Sequence, residues 1–253
     1  MASVRCDPDV KSAVRALGVL QLFERVRRAA TAKEIGASLG MPVSSTSMLL
    51  RTMVAQGYLA FDAAARTYLP TLRVVGLGQW MLEAGNHPGA ALMELTRELS
   101  RQTGQLVAVG ARKGLFAQYI HVIPAATPAS YEVPNGAVYP LSRSTCGWAL
   151  LAPCRDDEIS RVVLRSNAEL PNKPVEPRWI IDQLARVRRA GYAFSFGQVR
   201  PGSGAVSMRL PRCAGDGLAL VVGGNNRQFV EKSDDYMHLM RKGIARHFGA
   251  AAD

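Results

Sequence analysis

Cysteine and histidine are scarce in this sequence, four of each in 253 residues. No two cysteines form a CxxC pair, and no HxxxH or HExxH unit occurs. A disulfide framework and a zinc site are therefore not expected, and no metal or other cofactor is assigned. Long apolar runs are missing as well. None reaches the ~18–20 residues needed to cross a bilayer, so no membrane partner is expected. The stretch Met1 to Asp9 has no apolar core and carries two acids, unlike a secretion signal, and a cytoplasmic location is expected. Neither an internal repeat nor a low-complexity tract is found. Acidic residues are the remaining shortage: 20 Asp and Glu face 31 Lys and Arg, leaving a net charge of +11. That excess favours a polyanionic partner. Residues 1–80 carry ten basic and five acidic side chains, and residues 81–253 carry twenty-one and fifteen. Charge per residue is thus higher in the first part.

What is present reads as a globular α+β chain, with 48% hydrophobic residues and enough length for one large domain or two ordinary ones. Residues 10–28 have helical spacing, with Val10, Val14, Leu17, Leu20 and Phe23 on one face and Arg25, Arg27 and Arg28 in the last turn. Thr31-Ala32-Lys33-Glu34 is a capping box that opens a second helix, with Ile35 and Leu39 inward and Gly40 as its stop. A third helix is expected from Pro42 to Ser44 onward, capped by its serines and ended by Gly57. Its inward face is Thr46, Leu49, Leu50 and Met53. Two β-prone runs, Tyr58 to Phe61 and Thr67 to Leu69, flank the turn Asp62 to Arg66 and form a hairpin that Pro70 stops. Three helices followed by a hairpin is the order of a winged helix-turn-helix. A further helix is expected over 71–84, with Trp80 and Met81 favoured as dimer contacts over core. The break from Gly85 to Gly89 marks a domain boundary. Beyond it, helices are expected at 90–102, after Ser144 to Leu151, at 156–165, at 178–190 and at 233–248. Strands are expected at 105–112, 115–123 and near 192–198, 204–210 and 217–223. The stretch from Pro124 to Pro134 reads as loop, Gly223 to Asn226 as a turn, and Arg186, Arg188 and Arg189 as a solvated helix face.

In a helix-turn-helix the second helix of the pair lies in the major groove. Here its outward residues are Val43, Ser44, Ser45, Ser47, Met48 and Arg51. Arg51 is the only cation among them, so positive charge is expected from Arg5, Lys11 and Arg15 ahead of the motif and from Arg66 in the wing. With Ser12, Thr31, Thr46 and Tyr68 added, these complete the candidate DNA-contacting set. In the second half, Ser144 is expected to cap the helix that starts at Thr145, leaving the amides of Thr145, Cys146 and Gly147 to face an anion. A capped end facing solvent or core is the competing reading. A thiol at such an end also raises a nucleophile reading for Cys146. That chemistry needs a positioned base, and His121 is the one candidate away from the termini of the domain.

Several strings resemble the IclR family of transcription regulators. They are Val10 to Leu17, Ala32 to Gly36, Leu39 to Ser45, Leu49 to Met53, Gly57 to Leu59 and Tyr68 to Pro70. Tyr139 to Leu141, Ser144 to Ala152, Gly191 to Ala193 and Gly202 continue the match through the second half. The resemblance implies a winged helix-turn-helix over 1–70, a dimerising linker helix over 71–88, and a GAF-like effector-binding domain over 89–253. It implies dimers or dimers of dimers on palindromic double-stranded operators, switched by small organic acids or aromatic metabolites. It also places a ligand carboxylate at Thr145 and Cys146. The chain departs from the family at Val43, Ser47 and Met48, where cations are common. It departs again at Ser195, Gly197, Gln198, Ala205, Met208, Val221 and Gly223, where acids, thiols or hydroxyls occur. The expected effector set is Tyr119, Ser144, Thr145, Cys146, Phe194, Ser195, Ala205, Val221 and Gly223. Its low polarity, to which Phe196 adds, points to a ligand with an anionic end and an apolar or aromatic body. The leading reading is a ligand-responsive regulator of a metabolic or catabolic operon. The competitors are an enzyme using Cys146 and a metabolite-binding module whose winged helix contacts protein.

Overall fold

The computed structural model describes residues 10–83, 87–126, 133–171, 174–224 and 227–249. Arg5, the break at Gly85–Asn86, part of the loop before Pro134, and Asn225–Asn226 lie outside the described residues. Contacts divide the chain into two compact units, residues 1–84 and residues 85–253.

The first unit runs α1 (Lys11–Val26), β1 (Ala30–Thr31), α2 (Ala32–Ser38), α3 (Val43–Ala55), β2 (Leu59–Asp62), β3 (Thr67–Pro70) and α4 (Leu72–Glu83). Its core is Val19, Leu22, Phe23, Ile35, Leu50, Met53 and Leu59. The expected stripe on α1 is corrected in part: Phe23 is buried as expected and Leu20 packs against the core, but Val10, Val14 and Leu17 are exposed, and Val19 and Leu22 are buried instead. Both sets have helical spacing, so periodicity alone does not choose between them. The capping box of α2 is formed, with the Thr31 amide donating to Glu34 Oε2 at 2.7 Å and the Glu34 amide to Thr31 Oγ1 at 3.3 Å. The serine caps of α3 are not: Pro42 takes the cap position with no side-chain bond, and Ser44 and Ser45 fall inside the helix. The wing is a three-stranded antiparallel sheet ordered β1-β3-β2. β1 has only two residues, too few to show an alternating pattern. α4 buries none of its side chains.

The second unit opens with α5 (Pro88–Thr103), β4 (Leu106–Lys113), β5 (Phe116–Ile123), β6 (Val138–Pro140), α6 (Thr145–Leu151), α7 (Asp156–Glu169) and α8 (Pro177–Ala190). It closes with β7 (Ala193–Phe196), β8 (Gly204–Arg209), β9 (Leu218–Gly224), α9 (Arg227–Glu231) and α10 (Ser233–Phe248). The strands form one antiparallel sheet ordered β6-β5-β4-β9-β8-β7. Strand residues alternate between its faces. Val107, Val109, Val206, Met208, Leu220 and Val222 pack against Leu95 and Leu99 of α5 and Tyr236 and Met240 of α10. The alternate residues, Ala108, Gly110, Ser207 and Val221, turn to the face that carries α6. Between Val109 and Gly110 the register with β5 shifts, leaving Ile120 as the extra residue of a bulge. The chain is α+β with an N-terminal helix-turn-helix, as its sequence implied.

Candidate functional site

The outward side of α3 is the first candidate surface. Val43, Ser44, Met48 and Arg51 are exposed, and Ser45 and Ser47 are half-buried. Thr46 leaves the set: it is 1% exposed, and its hydroxyl donates to the Pro42 carbonyl at 3.0 Å. Its helix position, four residues before Leu50, turns it to the core. Thr31 is committed to the cap, where its hydroxyl donates to Glu34 Oε2 at 2.9 Å while accepting from the Glu34 amide. The Thr31 amide and then the Arg28 guanidinium hold the Glu34 carboxyl at about 2, well below the usual carboxylate range. Tyr68 is half-buried, with its ring 4.8 Å from that of Phe61 and its edge on the core. Lys11, Ser12 and Arg66 are exposed and Arg15 is half-buried. Arg66 sits in the wing turn at φ 55°, a conformation unusual for a residue with a side chain. Asp62 supports that turn by accepting from the amides of Ala64 and Ala65 at 2.8 and 3.1 Å.

The second candidate site is the start of α6. Ser144 Oγ accepts from the Gly147 amide at 3.1 Å and donates to the Pro140 carbonyl at 3.0 Å. The amides of Thr145 and Cys146 then have no helical carbonyl to bond. Thr145 Oγ1 accepts a 2.8 Å hydrogen bond from Ser207 Oγ, and both hydroxyls are buried. Ser207 is absent from the expected set. Its place two residues after Ala205 on one strand, and so on the same face, was the signal for it. The helix lies tight on its surroundings. A Cβ on Gly110 would sit 2.4 Å from Cys146 Sγ, and one on Gly147 would sit 2.3 Å from the Leu141 carbonyl oxygen.

Beside this helix end the sheet offers a floor of small residues. Ser195 pairs with Ala205, Ala205 with Gly223, and Ser207 with Val221. Ser195, Ala205 and Gly223 are all half-buried, whereas Ser207 and Val221 lie in the interior. Tyr119 pairs with Gly110, and its ring lies 5.1 Å from that of Tyr139. Phe194 does not join them. It pairs with Val206 and packs on the α5–α10 core, so it points away from α6. Phe196, opposite Gly204, shares that face.

The nucleophile reading of Cys146 finds no support in this geometry. The thiol is fully buried, and desolvation pushes it up to about 12, so the reactive thiolate is suppressed. The register sets His121 opposite Val109, on the sheet face turned away from α6. Among the described residues, no group of three His, Cys, Asp or Glu side chains is placed to hold a metal, and no helix is long and apolar enough to cross a membrane.

Residues 12–63 match the family model of the IclR helix-turn-helix domain, and residues 90–246 match that of the bacterial transcriptional regulator IclR C-terminal domain. The HTH-type transcriptional repressor AllR of Escherichia coli is 24% identical over 184 residues, which cover 70% of this chain and 66% of AllR. The chain thus spans slightly less than two thirds of AllR's length. The HTH-type transcriptional regulator XynR of Escherichia coli is 26% identical over 188 residues, 74% of each chain. An IclR transcriptional regulator from Alicyclobacillus acidocaldarius superposes with a TM-score of 0.68 at 23% identity, over 96% of this chain and all of that one. An IclR homolog from Microbacterium hydrocarbonoxydans, complexed with 4-hydroxybenzoate, superposes with a TM-score of 0.65 at 18% identity, over 95% of this chain and all of that one. With family models matched over most of its length, the chain belongs to the IclR family of transcriptional regulators.

Proposed function

We propose that the chain is a cytoplasmic, ligand-responsive regulator whose first unit binds a palindromic operator in duplex DNA. The observation that carries this is α3, with one side built into the core and the other presenting Ser44, Met48 and Arg51 to solvent. Such a helix enters the major groove with its N-terminal residues against base edges, and small hydroxyls allow close approach. Lys11 and Arg66 add phosphate contacts from the start of α1 and from the wing.

Pairing of two chains supplies the second half-site. The apolar side chains of α4 support this, with Leu72, Val75 and Trp80 exposed at 86%, 64% and 59%. Exposed apolar side chains gathered on one helix in this way mark an interface. The effector occupies the α6 end of the second unit. Its anionic group accepts from the Thr145 and Cys146 amides, and its apolar body rests on Ser195, Ala205 and Gly223. The 4-hydroxybenzoate carried by the Microbacterium hydrocarbonoxydans homolog has this chemistry, a carboxylate on an aromatic ring. The regulated genes are then those of a metabolic or catabolic operon, and the protein acts by binding rather than by turnover.

Calorimetry with 4-hydroxybenzoate, glyoxylate and pyruvate tests the effector reading. Binding of the aromatic acid is expected, and tight binding of either small keto acid instead would contradict it.

A further inference from the structure

A cleft of about 370 Å³ opens in the second unit at the C-terminal end of α6, the opposite end of that helix from Thr145. Its lining includes Arg112, Arg155, Arg209 and Arg212 against two carboxylates, Glu158 and Asp216. Arg112 is committed to Glu158 at 2.7 Å, and Arg155 to Asp157 at 3.4 Å. The side chains of Arg209 and Arg212 have no ion-pair or hydrogen-bond partner among the described residues. Arg209 is the last residue of β8, and Arg212 opens the short 3-10 turn that follows. Both are therefore held on rigid backbone beside the same cavity. With Arg112 and Arg155 paired, Arg209 and Arg212 face Asp216 as the one remaining lining carboxylate, which leaves a charge of +1 uncompensated.

The planar guanidinium fork matches an oxyanion with two parallel N–H donors. A cavity of this size admits a small metabolite. We infer that this cleft is a second ligand site of the effector domain, which takes a small dianion with two oxyanion charges, of phosphate or dicarboxylate type, clamped by Arg209 and Arg212. The Glu158–Arg112 pair closes one wall. The site is distinct from the amide end of α6 and does not depend on the effector assignment made above.

The test is thermal unfolding of the full chain with inorganic pyrophosphate or succinate at constant ionic strength. One of the two is expected to raise the effector-domain transition by about 3 °C at saturation. Stabilisation by pyrophosphate alone identifies a phosphate ligand, and stabilisation by succinate identifies a dicarboxylate. Arg209→Gln with Arg212→Gln should abolish the shift. Arg51→Gln with Arg66→Gln should leave it intact, which separates this site from anion binding by the winged helix. Arg209→Lys with Arg212→Lys keeps the charge and loses the forks, and should weaken binding without abolishing it. No shift with either anion would overturn the inference. So would a shift that survives Arg209→Gln with Arg212→Gln, or one that disappears with Arg51→Gln and Arg66→Gln.

Discussion

The hydroxyls of Thr145 and Ser207 meet in the interior at 2.8 Å, 62 residues apart in the chain. Removing one leaves the other unpaired and buried. Thr145→Val should therefore cost about 1–3 kcal/mol in denaturant unfolding, and adding Ser207→Ala should recover part of it, because a cavity with no polar group lacks the desolvation penalty. Cys146 should resist iodoacetamide in the native protein while the exposed Cys213 reacts, since burial keeps the Cys146 thiol protonated. Mass spectrometry of the tryptic peptides reads this directly, and rapid native alkylation of Cys146 would reopen the nucleophile reading. Glu34 titrates at about 2 in the folded chain against an ordinary value of 4.5. Its folded pKa is depressed, so its contribution to stability is present above pH 4.5 and is lost as pH falls towards 2. Glu34→Gln should flatten the acid limb of the first unit's unfolding curve across that window. The Thr31–Glu34 box was legible in the sequence because its two partners lie three residues apart. The Thr145–Ser207 bond was not, since only the fold brings α6 onto β8.

Among the elements, those that carry their own boundary signals were legible. α2 has its capping box, α5 ends at Gly104 in the left-handed conformation, and α8 starts on Pro177 and ends before Gly191. β1 and β6, of two and three residues, escaped because so short a strand has no period to read. The two apolar stripes of α1 could not be ranked, since each has the spacing of a helix face and only packing decides which is buried. Strand parity explains Phe194. Its neighbour Ser195 faces α6, and in an extended chain a shift of one residue reverses the face. The seat of α6 on the sheet depends on Gly110, whose missing side chain makes room for Cys146 Sγ. Gly110→Ala should destabilise the second unit by about 1–3 kcal/mol or more, as overpacking at a contact between a helix and a sheet does. Far-ultraviolet circular dichroism during thermal unfolding reads the change.

At the scale of the whole molecule, the charge of +11 and the apolar surface of α4 act together in the proposed function. In that proposal, charge brings the chain to DNA and self-association sets two reading helices at one operator. Leu72→Glu with Val75→Glu should shift sedimentation equilibrium towards monomer without unfolding the first unit, because both side chains are exposed. Binding of the full chain to duplex DNA from upstream of its own gene, followed by fluorescence anisotropy as salt is varied, is the decisive measurement of its function as a DNA-binding regulator. Sequence-specific binding is expected, with a log affinity that falls linearly with log salt, by about 0.9 per phosphate neutralised. Arg51→Ala should lower that affinity by about tenfold or more. Equal affinity for unrelated DNA, or an Arg51→Ala chain that binds as well as the unaltered one, would contradict that function.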